Sequence, residues 1–408
     1  MGDRIEVPLE LENFEVKTTV LVEGWLEVTV SSTLPPACFH CGSLEVIGHG
    51  RHNRRIRDRS CGYPTVLIWE QRRLCCRDCG RSSRERHPAL AGRKRISLRF
   101  LEHLGKAAVR EPFLDVARRE HVSWWRVAGA FEVGAAGLDP YRGGPPRVLS
   151  LDEAGFQRPF KFHTVLSAPE QSRVLDLVPG RSLASAQKAL SSLPSGWKET
   201  VETVVVDLFW PFRRAAEEIL PQARVVADKF HVLRVIDQAA QRVRKRHGRR
   251  ITVIGPQGGL ERHHNPRFEP KLWGLRWLFM RRHHLLTLRQ QHHLNRLFEA
   301  NPELGVAWWL KESFAEIYQA PDRAEAEQRL EVWIHHLHQV QIPELVKSWK
   351  ALSLWREQIL NYFDDRQTNG YAEGVTNAIK VLKRRSYGHR DPHRYRAKVL
   401  LATRSQPA

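Results

Sequence analysis

Residues 201–234, VETVVVDLFWPFRRAAEEILPQARVVADKFHVLR, carry the pattern that decides the fold. Thr203–Val206 is a β-branched run of strand length, and it ends at an acid, Asp207. A helix over Pro211–Leu220 follows, with proline in its first turn, where the missing N–H costs nothing. The short strand Arg224–Ala227 comes next, and a further helix starts near Phe230. Upstream lie three more strand candidates, Arg147–Leu151, Phe160–Ser167 and Arg173–Val178. Three strands in meander followed by a βαβ unit is the order of a ribonuclease-H-like core.

Two acids close apolar runs in this core. Asp152 ends Val148-Leu149-Ser150-Leu151, and Asp207 ends Val204-Val205-Val206. Side chains alternate along a strand, so Asp152 shares a face with Val148 and Ser150, away from Glu153. A third acid, Glu373, opens the helical stretch AEGVTNAIKVLKRRSYG, which is crowded with lysine and arginine. Asn377, Lys380 and Arg384 fall on the stripe that Glu373 heads, with Lys383 beside it. Taken singly, each acid has an ordinary explanation as a turn residue or a helix N-terminal charge. Taken together, carboxylates at two strand ends and a helix start can converge on Mg²⁺, and a Mg²⁺ pair is the usual means of cutting phosphodiesters. Mn²⁺ would substitute.

The charge balance points to the polymer being cut. Lysine and arginine number 65 against 45 acids over 408 residues, a net charge of +20 and a pI near 10.1. A polyanion partner explains that excess, because each neutralised phosphate releases counterions. No apolar stretch reaches the length of a membrane helix, and the N-terminus lacks the apolar core of a signal peptide. The expected setting is the cytoplasm, at the bacterial nucleoid.

All six cysteines lie between Cys38 and Cys79. Cys38-x-x-Cys41 and Cys76-x-x-Cys79 form two knuckles whose four thiolates suit a closed tetrahedral Zn²⁺ site. Cys61 and Cys75 then read as small buried residues. Residues 5–34 alternate as a strand pair ahead of this module. Arg51, Arg54, Arg55, Arg57 and Arg59 lie between the knuckles, where they are candidates for phosphate contact or for a solvated charged hairpin.

The segment FLDVARREHVSWWRVAGAFE reads as two helices joined at Glu120-His121-Val122. Ser123 is a plausible N-cap, which puts Trp124, Trp125 and Arg126 at the start of the second helix, where a recognition helix meets base edges. The alternative is an α-hairpin with core tryptophans. From about 236 to 350 the pattern is nearly all helical, rich in Arg, His and Trp. Its run Arg242, Arg244, Lys245, Arg246, Arg249 and Arg250 suits a grip on phosphate backbone. The doubled histidines at 263, 283, 292 and 335 sit among arginines and read as surface rather than as metal sites. Most of its tryptophans read as core. Residues 351–404 return to helices expected to close the core.

Three blocks, LDEAGF, VVVDLFWPFRRAAEEILPQARVVADKFHVLR and NGYAEGVTNAIKVLKRRSYGHRDPHRYRAKVLL, resemble the catalytic blocks of the ISL-three family of bacterial insertion-sequence transposases. The cysteine module and the helix-turn-helix are similar to that family too. The resemblance implies a DDE transposase in which Asp152, Asp207 and Glu373 hold two Mg²⁺ ions. It also implies a role for His231, within an Asp228-Lys229-Phe230-His231 element, as a group reaching the scissile phosphate or as a structural histidine.

The expected architecture is multidomain α/β. It has an N-terminal β and zinc-ribbon module (1–90), a helix-turn-helix domain (91–142), and a ribonuclease-H-like core (147–235 and 351–408) interrupted by an all-helical insertion (236–350). Its partners would be double-stranded DNA, as terminal inverted repeats and target, and a second copy of the chain. The expected activity is Mg²⁺-dependent end cleavage and strand transfer. The alternative is a zinc-dependent DNA-binding regulator derived from a transposase and unable to cut, and a further one is a nuclease without strand transfer.

Overall fold

The computed structural model describes residues 10–157, 161–247, 251–254, 260–263, 276–386 and 391–403. They fall into two compact units, one of residues 1–139 with 381–402, the other essentially residues 140–380.

In the first unit the strands are β1 (Phe14–Val22), β2 (Trp25–Ser32), β3 (Val46–Cys61), β4 (Tyr63–Cys76) and β5 (Ser82–Arg84). The hairpin of β1 and β2 turns at Glu23-Gly24, both left-handed, at φ +49° and +79°. The sheet runs β1-β2-β4-β3, with β5 on β4; β2 and β4 are parallel and β3 and β4 form a long antiparallel hairpin. Alternation along these strands buries Leu26, Val28, Val30, Ile56, Leu67 and Trp69 on one face.

Helices α1 (Leu98–Arg110), α2 (Phe113–Arg119) and α3 (Trp124–Ala136) follow. The hydroxyls of Ser97 and Ser123 cap α1 and α3 by accepting from Phe100 N and Arg126 N. Phe100, Leu104, Val116, Val127 and Phe131 form their shared core. A Cβ on Gly105 would stand 2.9 Å from the Ala130 carbonyl oxygen, so the close approach of α1 to α3 requires glycine there.

The closing helix Pro392–Ala402 packs on α1 and α3. Its buried Lys398 donates to the Glu111 carbonyl at 2.7 Å, and Arg394 pairs with Glu132 at 2.7 Å. The sequence expectation placed this helix in the α/β core. Its apolar positions Tyr395 and Val399 show that one face is buried but not which surface covers it.

The second unit is built on β6 (Val148–Gln157), β7 (Lys161–Ala168), β8 (Arg173–Pro179), α4 (Leu183–Ser191), β9 (Thr203–Val206), α5 (Trp210–Ile219), β10 (Arg224–Ala227) and α6 (Lys229–His247). The sheet order is β10-β9-β6-β7-β8. β10, β9 and β6 are parallel, while β6-β7 and β7-β8 are antiparallel. Val204, Val205 and Val206 are fully buried, as an all-apolar strand between two parallel neighbours must be.

Two local features differ from the sequence reading. Helix α4 was not foreseen. Strand β6 does not stop at Asp152 but runs to Gln157, because β7 goes on pairing with it at Ala154 and Gly155. Asp152 is therefore a mid-strand residue, whereas Asp207 does follow a strand end.

Helix α6 continues unbroken through position 236 to His247. Helices Pro302–Ile317 and Pro343–Leu352 pack on it, and Leu288–Ala300 and Arg323–Val340 pack on Pro302–Ile317, in one core with Leu294, Leu304, Leu310, Leu330, Trp333 and Leu345. This segment is not all helical. Ile251–Ile254 and Leu260–His263 form a two-stranded antiparallel ribbon. The reason is local: Ile-Thr-Val-Ile is β-branched throughout, and a Gly-Pro-Gln-Gly-Gly linker follows it. Trp333 and Trp349 are core, but Trp277 and Trp309 are exposed, and Trp273 lies outside the described residues. Among the described residues no helix is long and apolar enough to cross a membrane.

Candidate metal-binding active site and nucleic-acid surfaces

The parallel edge of the second unit brings four titratable side chains together. Asp152 reaches out from the middle of β6, Asp207 from the end of β9, and Asp228 from the end of β10; His231 stands in the first turn of α6. Nδ1 of His231 lies 2.9 Å from Oδ2 of Asp228 and 3.1 Å from Oδ1 of Asp207. Ligand atoms of Asp207, Asp228 and His231 all lie within 4.8 Å of one another.

A segment far along the chain locks this cluster. The Asn369 side-chain amide donates to Oδ1 of Asp207 at 3.2 Å, and its backbone N–H donates to Oδ1 of Asp228 at 3.1 Å. The same side chain accepts from the Ser150 hydroxyl through its oxygen. One helical turn past Glu373, the Thr376 hydroxyl donates to Oδ2 of Asp152 at 2.6 Å. Ser150 and Asp152, on one face of β6, thus both meet the start of helix Gly370–Arg385.

The electrostatics are those of acids crowded without enough positive charge. Burial pushes Asp207 up to about 7, and the Asp152 carboxylate adds to it; His231 and Asn369 oppose but do not cancel this. Burial also raises Asp152, against the hydrogen bond from Thr376. His231 is raised, first by its bond to Asp228 and then by the charges of Asp207, Asp228 and Asp152. A hard divalent cation takes oxygen ligands and supplies the missing charge, so the donor set fits Mg²⁺ or Mn²⁺.

Glu373 is not one of the three ligand residues within 4.8 Å of one another. It is exposed, as are Asn377, Lys380 and Arg384, whereas Ala372, Val375, Thr376 and Ile379 are buried. The stripe read from sequence is the solvent face of the helix. Asn369 and Thr376 were missed by the sequence reading, and the carboxylate of Asp228 was not singled out. An Asn before Gly370 looks like helix-start punctuation, and its long-range contacts have no local signature.

In the first unit the four knuckle sulfurs converge. Cys38 and Cys79 Sγ are 3.7 Å apart, Cys41 and Cys76 Sγ 3.6 Å, and all four lie within 4.8 Å of one another. Tetrahedral Zn–S bonds of about 2.3 Å place sulfurs about 3.8 Å apart, so the residues fit zinc. Disulfides, at about 2.05 Å, are excluded. Backbone N–H groups, chiefly that of Cys41, bring the Cys38 thiol down to about 7. Cys61 and Cys75 are not buried as expected: Cys61 is exposed at the tip of the β3–β4 hairpin, and strand alternation turns Cys75 away from the side on which Cys76 is buried.

Several arginines are already engaged. Arg51 pairs with Glu70 at 3.0 Å and Arg55 with Glu27 at 2.7 Å, Arg54 donates to the Gly92 carbonyl, and Arg57 stacks 4.3 Å over Trp25. In the helical segment Arg246 bonds both Glu303 and Glu344, and Arg244 bonds Gln241. Lys245 is exposed, and Arg249 and Arg250 lie outside the described residues. At the head of α3, Trp124 packs on Phe113 with ring centres 5.8 Å apart, and Arg126 donates to the Lys94 carbonyl at 2.7 Å. Trp125 is 74% exposed and meets the Trp124 ring edge-on, with centres 4.9 Å apart. Among the described residues the doubled histidines form no metal-ligand group.

Comparison with known proteins agrees with this arrangement. A transposase family model matches residues 149–399. A model for the helix-turn-helix domain of transposase family ISL3 matches residues 85–132, and one for the zinc-finger of transposase IS204/IS1001/IS1096/IS1165 matches residues 34–79. The transposase for insertion sequence element IS1001 of Bordetella parapertussis is 28% identical over 380 residues, covering 90% of this chain and 88% of that protein. The transposase for IS1557 of Mycobacterium tuberculosis is 25% identical over 271 residues, covering 62% of this chain and 60% of that protein. With a zinc ribbon, a helix-turn-helix and a transposase domain matched in this order, the chain belongs to the ISL3 family of transposases.

Proposed function

We propose that the protein is a DDE transposase that binds the terminal inverted repeats of an insertion sequence, cuts DNA at their ends and joins them to a target. The observation that carries this reading is the cluster of Asp152, Asp207 and Asp228 around His231, with Asp152 and Asp228 buried and Asp207 partly so, lacking compensating charge. The mixed sheet, with its meander and βαβ unit, supports a ribonuclease-H-like core. Asp152 and Asp207 would hold the metal ions, with Glu373 closing the site from the next helical turn before Thr376. A magnesium ion held by these carboxylates would lower the pKa of an attacking water or hydroxyl and neutralise charge on the phosphate. Asn369 and Thr376 fix the two strand-borne carboxylates in position. His231 lies where it can hold or accept a proton beside Asp207.

In the first unit, the zinc ribbon and helix-turn-helix read the element ends, with Arg54 and Arg55 available to phosphate once released from their present partners. Arg244, Lys245, Arg246, Lys380, Lys383 and Arg384 serve the backbone in the same way. Two ends are processed together, which calls for a dimer or larger assembly. The direct test is incubation with a fragment bearing the element's terminal repeat, with Mg²⁺ or with chelator. Mg²⁺-dependent nicks at the repeat boundary, abolished in Glu373→Gln, are expected. Tight binding with no cut, even with paired ends supplied, would favour a regulator.

Two further expectations follow from the geometry. Trp125→Ala should weaken binding to a terminal repeat by roughly tenfold or more while α3 stays folded, since among the described residues its ring meets only the neighbouring Trp124. Fluorescence anisotropy measures this, and unchanged affinity would remove Trp125 from the reading surface. The second concerns pH. Cation binding must displace the proton that Asp207 retains up to about 7. Affinity for Mn²⁺ should therefore climb by about tenfold per pH unit below 7 and flatten above it. Calorimetric titration across that range, in two buffers of different ionisation heat, would reveal the released proton; a pH-independent affinity would contradict it.

A further inference from the structure

Beside the acid cluster a cleft of about 320 Å³ opens between the start of α5 and one face of α6. Asp207 and His231 form its inner end, and Phe209, Arg181, Arg234 and Gln238 line the rest. His231, Arg234 and Gln238 fall on one helical stripe, at i, i+3 and i+7. Arg181 is already engaged: it pairs with Glu153 at 2.9 Å and stacks 4.3 Å over Phe162. Arg234 is exposed and has no carboxylate partner among the described residues. Gln238, one turn on, is exposed with an unused amide, and Phe209 is half-buried. Next to the cleft, Trp210 and Phe230 are 52% and 54% exposed, each a large apolar ring left in water at the head of a helix.

The Phe209 ring meets Phe212 edge-on, with centres 5.0 Å apart, and has the Arg181 guanidinium 5.7 Å from its centre, at the looser end of such contacts. A free guanidinium, an amide and a half-exposed aromatic ring, all within one small cleft that ends at the acids, match the parts of a nucleotide: phosphate, base edge and base face. The cleft is of the size of one such unit. We infer that this cleft seats the single unpaired nucleotide adjoining the scissile phosphate. Arg234 binds its phosphate, Gln238 meets its base edge, and Phe209 presents a stacking face. The end of the duplex is thereby opened as it enters the site, with the unpairing cost set against stacking of about 1–3 kcal/mol per base. The inference rests on the transposase reading.

The test uses the full-length protein and a terminal-repeat duplex carrying 4-thiothymidine at the nucleotide on either side of the boundary. Irradiation needs no cleavage, so it is independent of the activity. Crosslinks from one of these positions are expected on residues 207–238, and Arg234→Ala should abolish them. In a parallel Mg²⁺ assay, Arg234→Ala and Gln238→Ala should slow cleavage by roughly 10- to 100-fold, with Arg234→Lys partly restored. Crosslinks confined to other segments, or an Arg234→Ala protein that cuts at the wild-type rate, would overturn the inference. Crosslinking as expected in a wild-type protein that never cuts would instead overturn the transposase reading and leave a nucleotide-binding cleft.

Discussion

Asp207→Asn should bind terminal-repeat DNA with wild-type affinity and cut it at least about a thousandfold more slowly. The substitution keeps the shape of the side chain and its oxygen acceptor, so Asn369 retains a partner. It removes the charge, and with it one ligand for a divalent cation in a site that already crowds Asp152 and Asp228 around His231. End binding is assigned to the other unit, which Asp207 does not belong to. The two readouts therefore separate: gel-shift affinity for the ends, and Mg²⁺-dependent nicking of a labelled fragment. Cutting at a rate within tenfold of wild type would dismiss Asp207 as a metal ligand. Loss of end binding would show that the substitution had damaged more than the site.

The second large effect is expected from the cysteines. Cys76→Ser should cost the zinc ion and most of the end affinity, roughly a hundredfold. Structural zinc contributes about 10–16 kcal/mol in isolated finger peptides, and this β-module has only a small apolar core of its own. Without the metal, four thiols crowd within 4.8 Å. Cys75→Ser is the matched control, since that side chain lies outside the cluster. Metal content by atomic emission and end binding by anisotropy should fall together in Cys76→Ser and in neither case for Cys75→Ser. A zinc-free protein that still binds ends at full affinity would confine the ribbon to another task.

Much of the framework was legible because it is written in local patterns. The run Val204-Val205-Val206 before Asp207, the proline at the head of the next helix, and Arg224–Ala227 located β9, α5 and β10 to within a residue or two. The spacing of the cysteine pairs named its own sulfur cluster, and Ser123 announced the start of α3. Where local signals mislead, the partner strand or helix is the cause. Asp152 looks like the end of a strand because polar residues follow, but β7 keeps bonding to that backbone. Trp124 and Trp125 are indistinguishable in sequence, yet Phe113 takes one and leaves the other to solvent.

The sequence alone thus located most of the elements, the cysteine pairs that converge and the basic character of the chain, since periodicity, cysteine spacing and charge act over a few residues or over the whole composition. Only the tertiary structure decided which acids meet. Asn369 reaches Asp207 and Asp228, and Thr376 reaches Asp152, across separations of 141 to 224 residues, while Glu373 on the same helix faces water. No window of sequence contains such contacts. They exist because a helix bearing one apolar face can dock on the sheet in one rotation, and that rotation chooses which of its polar residues are turned toward the strands.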